Sequence, residues 1–226
     1  MSELKHFIEI KNLEKNYLTG DSTVKAIKKM DFYIDDKEFV TIMGESGSGK
    51  STLLSIMGAL NHPTCGRVFI DSIDLYSLSN EQRADFRSEY IGFIFQSFQL
   101  IPYLTVTENV MLPMAVTDKK KKTKNEMAAK VIKKVGLSSK SNRLPNQLSG
   151  GEQERVAIAR AIVNTPPIIL ADEPTGNLDT NTAKEIMELL KSLNQDGHTI
   201  IMVTHNKTMS AYSSKTINVV DGKIEC

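Results

Sequence analysis

The sequence predicts an α/β fold whose core is a mainly parallel sheet with a helical segment inserted into it. Three observations predict this. In the first and last thirds of the chain, apolar strands alternate with helical segments, the pattern of strands joined by crossover helices. A glycine-rich turn, Gly44-Glu45-Ser46-Gly47-Ser48-Gly49-Lys50-Ser51, separates one such strand from the helix that follows it. The stretch from 96 to 164 is mostly helical and interrupts the alternation.

The elements follow in order. Residues 7–12 alternate like a strand, and 26–34 and 39–43 read as further strands. Residues 51–60 form a helix with Leu53, Leu54, Ile56 and Met57 for its buried face, stopped by Asn61-His62-Pro63-Thr64. A short strand at 67–71, a helix at 81–88 and an apolar strand at 91–95 lead to Gln96. Helices are expected at 105–112, up to Pro113, and at 124–135, where Met127, Val131, Ile132 and Val135 share a face and Gly136 caps the end. A helix over 150–163 has Ser149 as its N-cap. The last third gives a strand at 168–171, a helix at 182–193, a strand at 199–204 and a short helix at 207–212. Strands at 215–220 and 223–225 then meet at Asp221-Gly222, a hairpin turn.

Composition narrows the function. A chain of 226 residues with 40% hydrophobic content supports one substantial core. A net charge of +1 argues against a dedicated nucleic-acid binder. No apolar run is long enough to span a bilayer, and the N-terminal stretch lacks a signal-peptide core, so the expected location is the cytoplasm. Cys65 and Cys226 are too few and too far apart for a disulfide framework or a zinc site. The basic run Lys119 to Lys122, with Lys124, reads as a solvated loop.

The glycine-rich turn points to a polyphosphate. Backbone N–H groups cradle such a tail only where no side chain blocks them, and Gly44, Gly47 and Gly49 leave them open. The following helix adds its positive end. In this pattern Lys50 reaches the β- and γ-phosphates of ATP, Ser51 ligates Mg²⁺, and Thr52 adds a phosphate contact. Asp172 ends the apolar strand of Ile168, Ile169, Leu170 and Ala171, a place suited to a water-mediated grip on Mg²⁺. Ser149, Gly150 and Gly151 open a second helix N-terminus, another ready anion site.

The run Leu148-Ser149-Gly150-Gly151-Glu152, set between the phosphate loop and Asp172-Glu173, resembles the signature of ABC transporter ATPases. The likeness covers essentially all of the chain. It is strongest to the group of macrolide exporters, lipoprotein-release ATPases and antimicrobial-peptide exporters, and to the FtsE-like cell-division ATPases. The resemblance implies a P-loop ABC ATPase fold: a nucleotide-binding core over 1–95 and 165–226 with an antiparallel β subdomain, and a helical subdomain over 96–164 carrying the signature. It implies that Glu173 is the general base, that His205 contacts the γ-phosphate, and that Gln96 touches both Mg²⁺ and the attacking water. It implies that Tyr17 stacks on adenine, and that the phosphate loop (Gly44, Glu45, Ser46, Gly47, Ser48, Gly49, Lys50, Ser51 and Thr52) grips ATP in one protomer. Ser149, Gly150, Gly151 and Asp179 then serve the ATP of the other protomer in a head-to-tail homodimer formed on ATP binding.

The same resemblance implies a membrane-spanning permease partner and a peripheral position on the inner face of the membrane. Export or extraction of a peptide, antibiotic or lipid-like substrate is the leading expectation. An FtsE-like regulator that transports nothing is the alternative, because it shares every motif. Residues 98–104, unusually apolar, either dock a helix of the partner or fill the helical insert. Glu154 departs from the commoner glutamine and is expected to shift a surface contact without abolishing function.

Overall fold

A computed structural model describes residues 6–20 and 22–225. Cys226 and the first five residues, weighed above, lie outside the described residues. The chain opens with the hairpin β1 (Ile8–Thr19) and β2 (Ser22–Ile34). β3 (Phe39–Met43) leads into α1 (Lys50–Met57), then β4 (Cys65–Ile70), β5 (Ile73–Asp74), α2 (Asn80–Tyr90) and β6 (Ile91–Ile94). Three helices follow: α3 (Val106–Met111), α4 (Lys121–Lys134) and α5 (Gly150–Ile162). β7 (Ile168–Asp172), α6 (Thr180–Gln195), β8 (Thr199–Thr204) and α7 (Lys207–Ser210) precede a final hairpin, β9 (Lys215–Val220) and β10 (Lys223–Glu225).

Two sheets form. One is antiparallel, in the order β2-β1-β4-β5. The other runs β10-β9-β3-β8-β7-β6 and is parallel except for β10. The parallel strands carry near-continuous apolar runs because both faces are covered. In β7, Ile169 and Ala171 face one core while Ile168 and Leu170 face the other. In β8, Ile200 and Met202 oppose Ile201 and Val203 in the same way. Each fully buried Ile or Leu side chain contributes about 1.5–3 kcal/mol. α6 buries Ala183, Ile186, Met187, Leu190 and Leu193 in the core that also contains α3, α4 and α5 residues. No helix among the described residues is long and apolar enough to cross a membrane.

Several elements differ from their sequence readings for physical reasons. β1 continues to Thr19, so Tyr17 lies inside the strand, paired with Val24, rather than after it. Register shifts between Ile10, Leu13, Lys15 and Asn16 hide the alternation past Asn12. α1 ends at Met57 with Gly58 as its cap, and Ala59 turns into the left-handed region at φ 56°. α4 begins at Lys121, so Lys121, Lys122 and Lys124 occupy its first turn rather than a loop. Lysine is a good helix former, and like charge alone does not break a helix packed through Ala128, Val131 and Ile132.

Glu154 is the largest correction. It is fully buried in α5, and neither carboxyl oxygen has a hydrogen-bond partner. The polar run Glu152-Gln153-Glu154-Arg155 suggests an exposed turn, yet α5 also buries Gly151, Val156, Ala157, Ile158, Ala159, Ala161 and Ile162. Burial pushes the Glu154 carboxyl up from 4.5 to about 8, with the Arg160 charge opposing. The folded chain therefore holds a proton that the unfolded chain releases above its ordinary pKa, so stability falls as pH rises from 4.5 to about 8. We expect Glu154→Gln to flatten this dependence and to melt higher than the parent at pH 8. The gain should be about 2–4 °C for each kcal/mol of charge burial relieved. Thermal melts of both proteins at pH 5, 6.5 and 8 check this, and parallel shifts at all three values would contradict it.

Candidate active site

Four adjacent parallel strands end at one edge of the sheet, and each delivers a part of the site, as expected at the carboxyl ends of such strands. Pairing of Met43 with Thr204, Asp172 with Val203 and Ile94 with Ala171 keeps those ends level. The phosphate loop follows β3, His205 follows β8, Asp172 and Glu173 end β7, and Gln96 lies just beyond β6.

The phosphate loop has the backbone its glycines allow. Gly49 caps α1 at φ 100°, and a side chain there would place its Cβ 2.4 Å from the Ala26 carbonyl oxygen. A Cβ at Gly44 would lie 2.1 Å from the Val219 carbonyl oxygen. The C-terminal hairpin braces the loop from behind: Gly222 N–H donates to Ser48 O at 3.1 Å, while Gly222 O accepts from Lys28 N at 2.7 Å. Lys50 is 5% exposed and donates its Nζ to Gly44 O (2.8 Å) and Glu45 O (2.7 Å). The ammonium is thereby curled over its own loop.

In front of the loop lies a cleft of about 650 Å³. Glu45, Ser46, Gly47, Gly49, Lys50, Ser51 and Thr52 line one side, and Gln96, Glu173 and His205 the other. Gly44 and Ser48 sit at the back of the loop, beside Asp221. Ser51 Oγ donates to Asp172 Oδ1 at 3.0 Å. Burial raises the Asp172 carboxyl above its usual range; the Ser51 hydrogen bond opposes this, the Glu173 charge adds to it, and Lys50 opposes it.

Glu173 is turned into the cleft by its backbone. It stands at φ 45°, an uncommon conformation for a residue with a side chain. Its N–H donates to Val203 O (3.0 Å), and its carbonyl accepts from Gly176 N (3.0 Å). His205 Nδ1 hydrogen-bonds the Glu173 carboxylate, at 3.0 Å from Oε1 and 2.9 Å from Oε2. Gly176 stands beside both groups: a Cβ there would lie 3.4 Å from the Glu173 carboxylate and 3.5 Å from the Gln96 amide, ordinary contact distances. Asn177 Nδ2 donates to Gln96 O at 2.9 Å and ties the two walls together.

Other expected residues are not brought to this cleft. Tyr17 is absent from its lining; its hydroxyl accepts from Asn61 Nδ2 at 2.6 Å, and the Lys15 ammonium sits 4.8 Å from its ring centre. Ser149, Gly150 and Gly151 are also outside it. Ser149 caps α5 in a capping box with Glu152, and Lys140 pairs with that Glu152. Asp179 caps α6, accepting from Asn181 N (3.0 Å), Thr182 N (3.1 Å) and Thr182 Oγ1 (2.6 Å). The Thr182 hydroxyl bond holds the Asp179 carboxyl below its usual range. Gly151 packs on the same threonine, where a Cβ would lie 2.3 Å from Thr182 Cγ2. The sequence reading missed Thr182 and Arg160. The signal for Arg160 is a guanidinium set between Ala159 and Ala161 on an otherwise apolar helix face.

A separate apolar groove of about 410 Å³ is lined in part by Leu60, Phe93, Phe95, Leu112, Val116 and Arg160. Leu60, Leu112 and Val116 are exposed there, Val116 at 80%. Of residues 98–104, Leu100 packs against the core while Tyr103 is 78% exposed, so only part of the apolar run fills the helical insert.

Comparisons with known proteins show the family of the chain. The family model described as ABC transporter matches residues 27–176. The uncharacterized ABC transporter ATP-binding protein MJ1508 of Methanocaldococcus jannaschii is 49% identical over 217 residues, 96% of this chain and 97% of that protein. The macrolide export ATP-binding/permease protein MacB of Aggregatibacter actinomycetemcomitans is 45% identical over 97% of this chain but only 34% of its own length. Among solved structures, the dimeric bacterial ABC transporter cassette MJ0796 matches with a TM-score of 0.90 at 45% identity, over 97% of both chains. A second dimeric structure of that cassette, in a post-hydrolysis state bound to ADP and Pi, matches with a TM-score of 0.90 at 44% identity. The chain therefore belongs to the ABC transporter family, as one of its ATP-binding and ATP-hydrolysing subunits.

Proposed function

We propose that two copies of this chain close head to tail on ATP and drive a membrane-spanning partner, which exports or extracts a peptide, antibiotic or lipid-like substrate. The observation that carries the dimer is the distance between function and site within one chain. Ser149, Gly150 and Gly151 open a helix but line no part of the cleft of their own chain, which supports a second copy bringing them to it. The dimeric cassette MJ0796 supports the same reading.

Within each cleft, the phosphate loop and Lys50 take up the phosphate charge. Lys50 exchanges its bonds to Gly44 O and Glu45 O for the phosphate tail. Ser51, Asp172 and Gln96 offer oxygen donors of the kind Mg²⁺ accepts, and the buried, charge-crowded Asp172 carboxyl suits a divalent cation. When bound, Mg²⁺ neutralises charge on the phosphates. Glu173 takes a proton from the attacking water as general base, and His205 holds its carboxylate in place. Gln96 orients that water from beside Glu173. Tyr17 serves the adenine once the base lies along β1, and Asp179 acts at the interface from the N-terminus of α6, which it caps.

The apolar groove beside Phe95 is our site for the membrane partner, because it is exposed and ends one residue from Gln96. MacB joins ATP-binding and permease functions in one protein, and this chain matches about a third of it. A separate permease would hold this chain on the inner face of the membrane.

Glu173→Gln should bind ATP yet lose turnover by roughly 10²- to 10⁴-fold. By light scattering after size exclusion, it should be dimeric with ATP and monomeric without. Gly151→Asp is a poor probe of the interface, since Thr182 of the same chain blocks it. Gly150→Asp is cleaner: its Cβ would lie 3.5 Å from Leu178 and 4.0 Å from Phe98, both ordinary contacts. Added to Glu173→Gln, it should leave the chain monomeric in ATP, and a persistent dimer would sink the head-to-tail reading. Separately, the tagged chain recovered from gently solubilised membranes should carry a membrane-spanning protein. Leu112→Asp with Val116→Asp should release that protein while basal ATP hydrolysis continues.

A further inference from the structure

The segment after Gln96 is strained. Phe98 and Gln99 are successive non-glycine residues at φ 59° and 51°, a region that L side chains disfavour. Something must hold them there. Arg160 Nη2 donates to Phe98 O at 2.7 Å, and Nη1 donates to Gln99 O at 2.5 Å. The planar fork of one guanidinium thus grips two consecutive carbonyls, which a single-point ammonium cannot match. The turn is also closed internally, with Phe98 N–H donating to Phe95 O at 2.9 Å.

Arg160 stands where three parts of the molecule meet. It lies on α5, the helix that Ser149, Gly150 and Gly151 open. It lines the apolar groove together with Phe95, the neighbour of Gln96. Its hydrogen bonds reach the strained pair two and three residues beyond Gln96. Glu154, on the same helix, acts on it through charge rather than through a hydrogen bond. The Gln96 carbonyl is meanwhile held by Asn177, which leaves the chain after it to set the amide's place.

We propose that Arg160 is a positioning residue for Gln96. By holding the carbonyls of Phe98 and Gln99, it fixes where the Gln96 amide stands in the ATP cleft. This rests on the role proposed above for Gln96.

The test is a double-variant cycle on the purified chain, reading kcat and KM for ATP, with thermal melting as a check on folding. Arg160→Gln should lower kcat about tenfold, the scale of a displaced catalytic contact. KM for ATP should stay within about twofold, as for an interaction made only in the transition state. Combined with Gln96→Ala, it should cost nothing further, because both changes act through one amide. A merely structural role makes the two losses multiply, and that result, or an unchanged kcat in Arg160→Gln, overturns the proposal. Arg160→Lys keeps the charge and most of the packing but not the fork, and should give an intermediate kcat; it completes the cycle if Arg160→Gln fails to fold. Wild-type kcat in Gln96→Ala would instead overturn the role of Gln96, and the clamp with it.

Discussion

Level pairing of β3, β8, β7 and β6 is the constraint on which the site depends. A slip of one residue in any of these ladders would turn a strand's side chains to the opposite face. It would also move the strand end by one residue, carrying Asp172 away from Ser51 or His205 away from Glu173. Apolar burial on both faces makes such slips costly, because Ile168, Leu170, Ile201 and Val203 fill one core while Ile169, Ala171, Ile200 and Met202 fill the other. The catalytic edge is positioned by the most deeply buried part of the molecule.

Strain collects at the ends of those strands. Glu173 follows β7 at positive φ, and Phe98 and Gln99 follow β6 in the same region. In each case neighbouring groups hold the conformation: Val203 O and Gly176 N for Glu173, the Arg160 fork for the other pair. Glu173 lines the cleft itself, and the other strained pair begins two residues beyond Gln96, which also lines it. The helical insert is braced against the core at a second point, where Gly151 packs directly on Thr182, the residue that also bonds Asp179.

Much of this was legible in the sequence. The phosphate loop and Asp172 stand at the ends of apolar strands, which period and punctuation locate well; Glu173, His205 and Gln96 also stand at strand ends, but their roles came from the resemblance to ABC ATPases. The order of elements around them was legible for the same reason. Residues beyond these depended on three-dimensional packing. The bulges of β1 disguised a strand that runs through Tyr17. Glu154 sits in a polar run and gives no sign in one dimension that α5 is enclosed on nearly every side. The role of Thr182 arises only from contact between two helices distant in sequence.

The hairpin behind the phosphate loop has one more consequence. Gly222, at the turn between β9 and β10, bonds Ser48 on one side and Lys28 on the other, and a Cβ there would lie 2.7 Å from the Ala26 carbonyl oxygen. The last strand pair is therefore a splint for the nucleotide loop, only three residues from the end of the described chain. Force or bulk applied at that end is transmitted through one hairpin turn to the backbone that cradles phosphate. A fusion or a bound protein attached there acts on ATP affinity from behind, without entering the cleft.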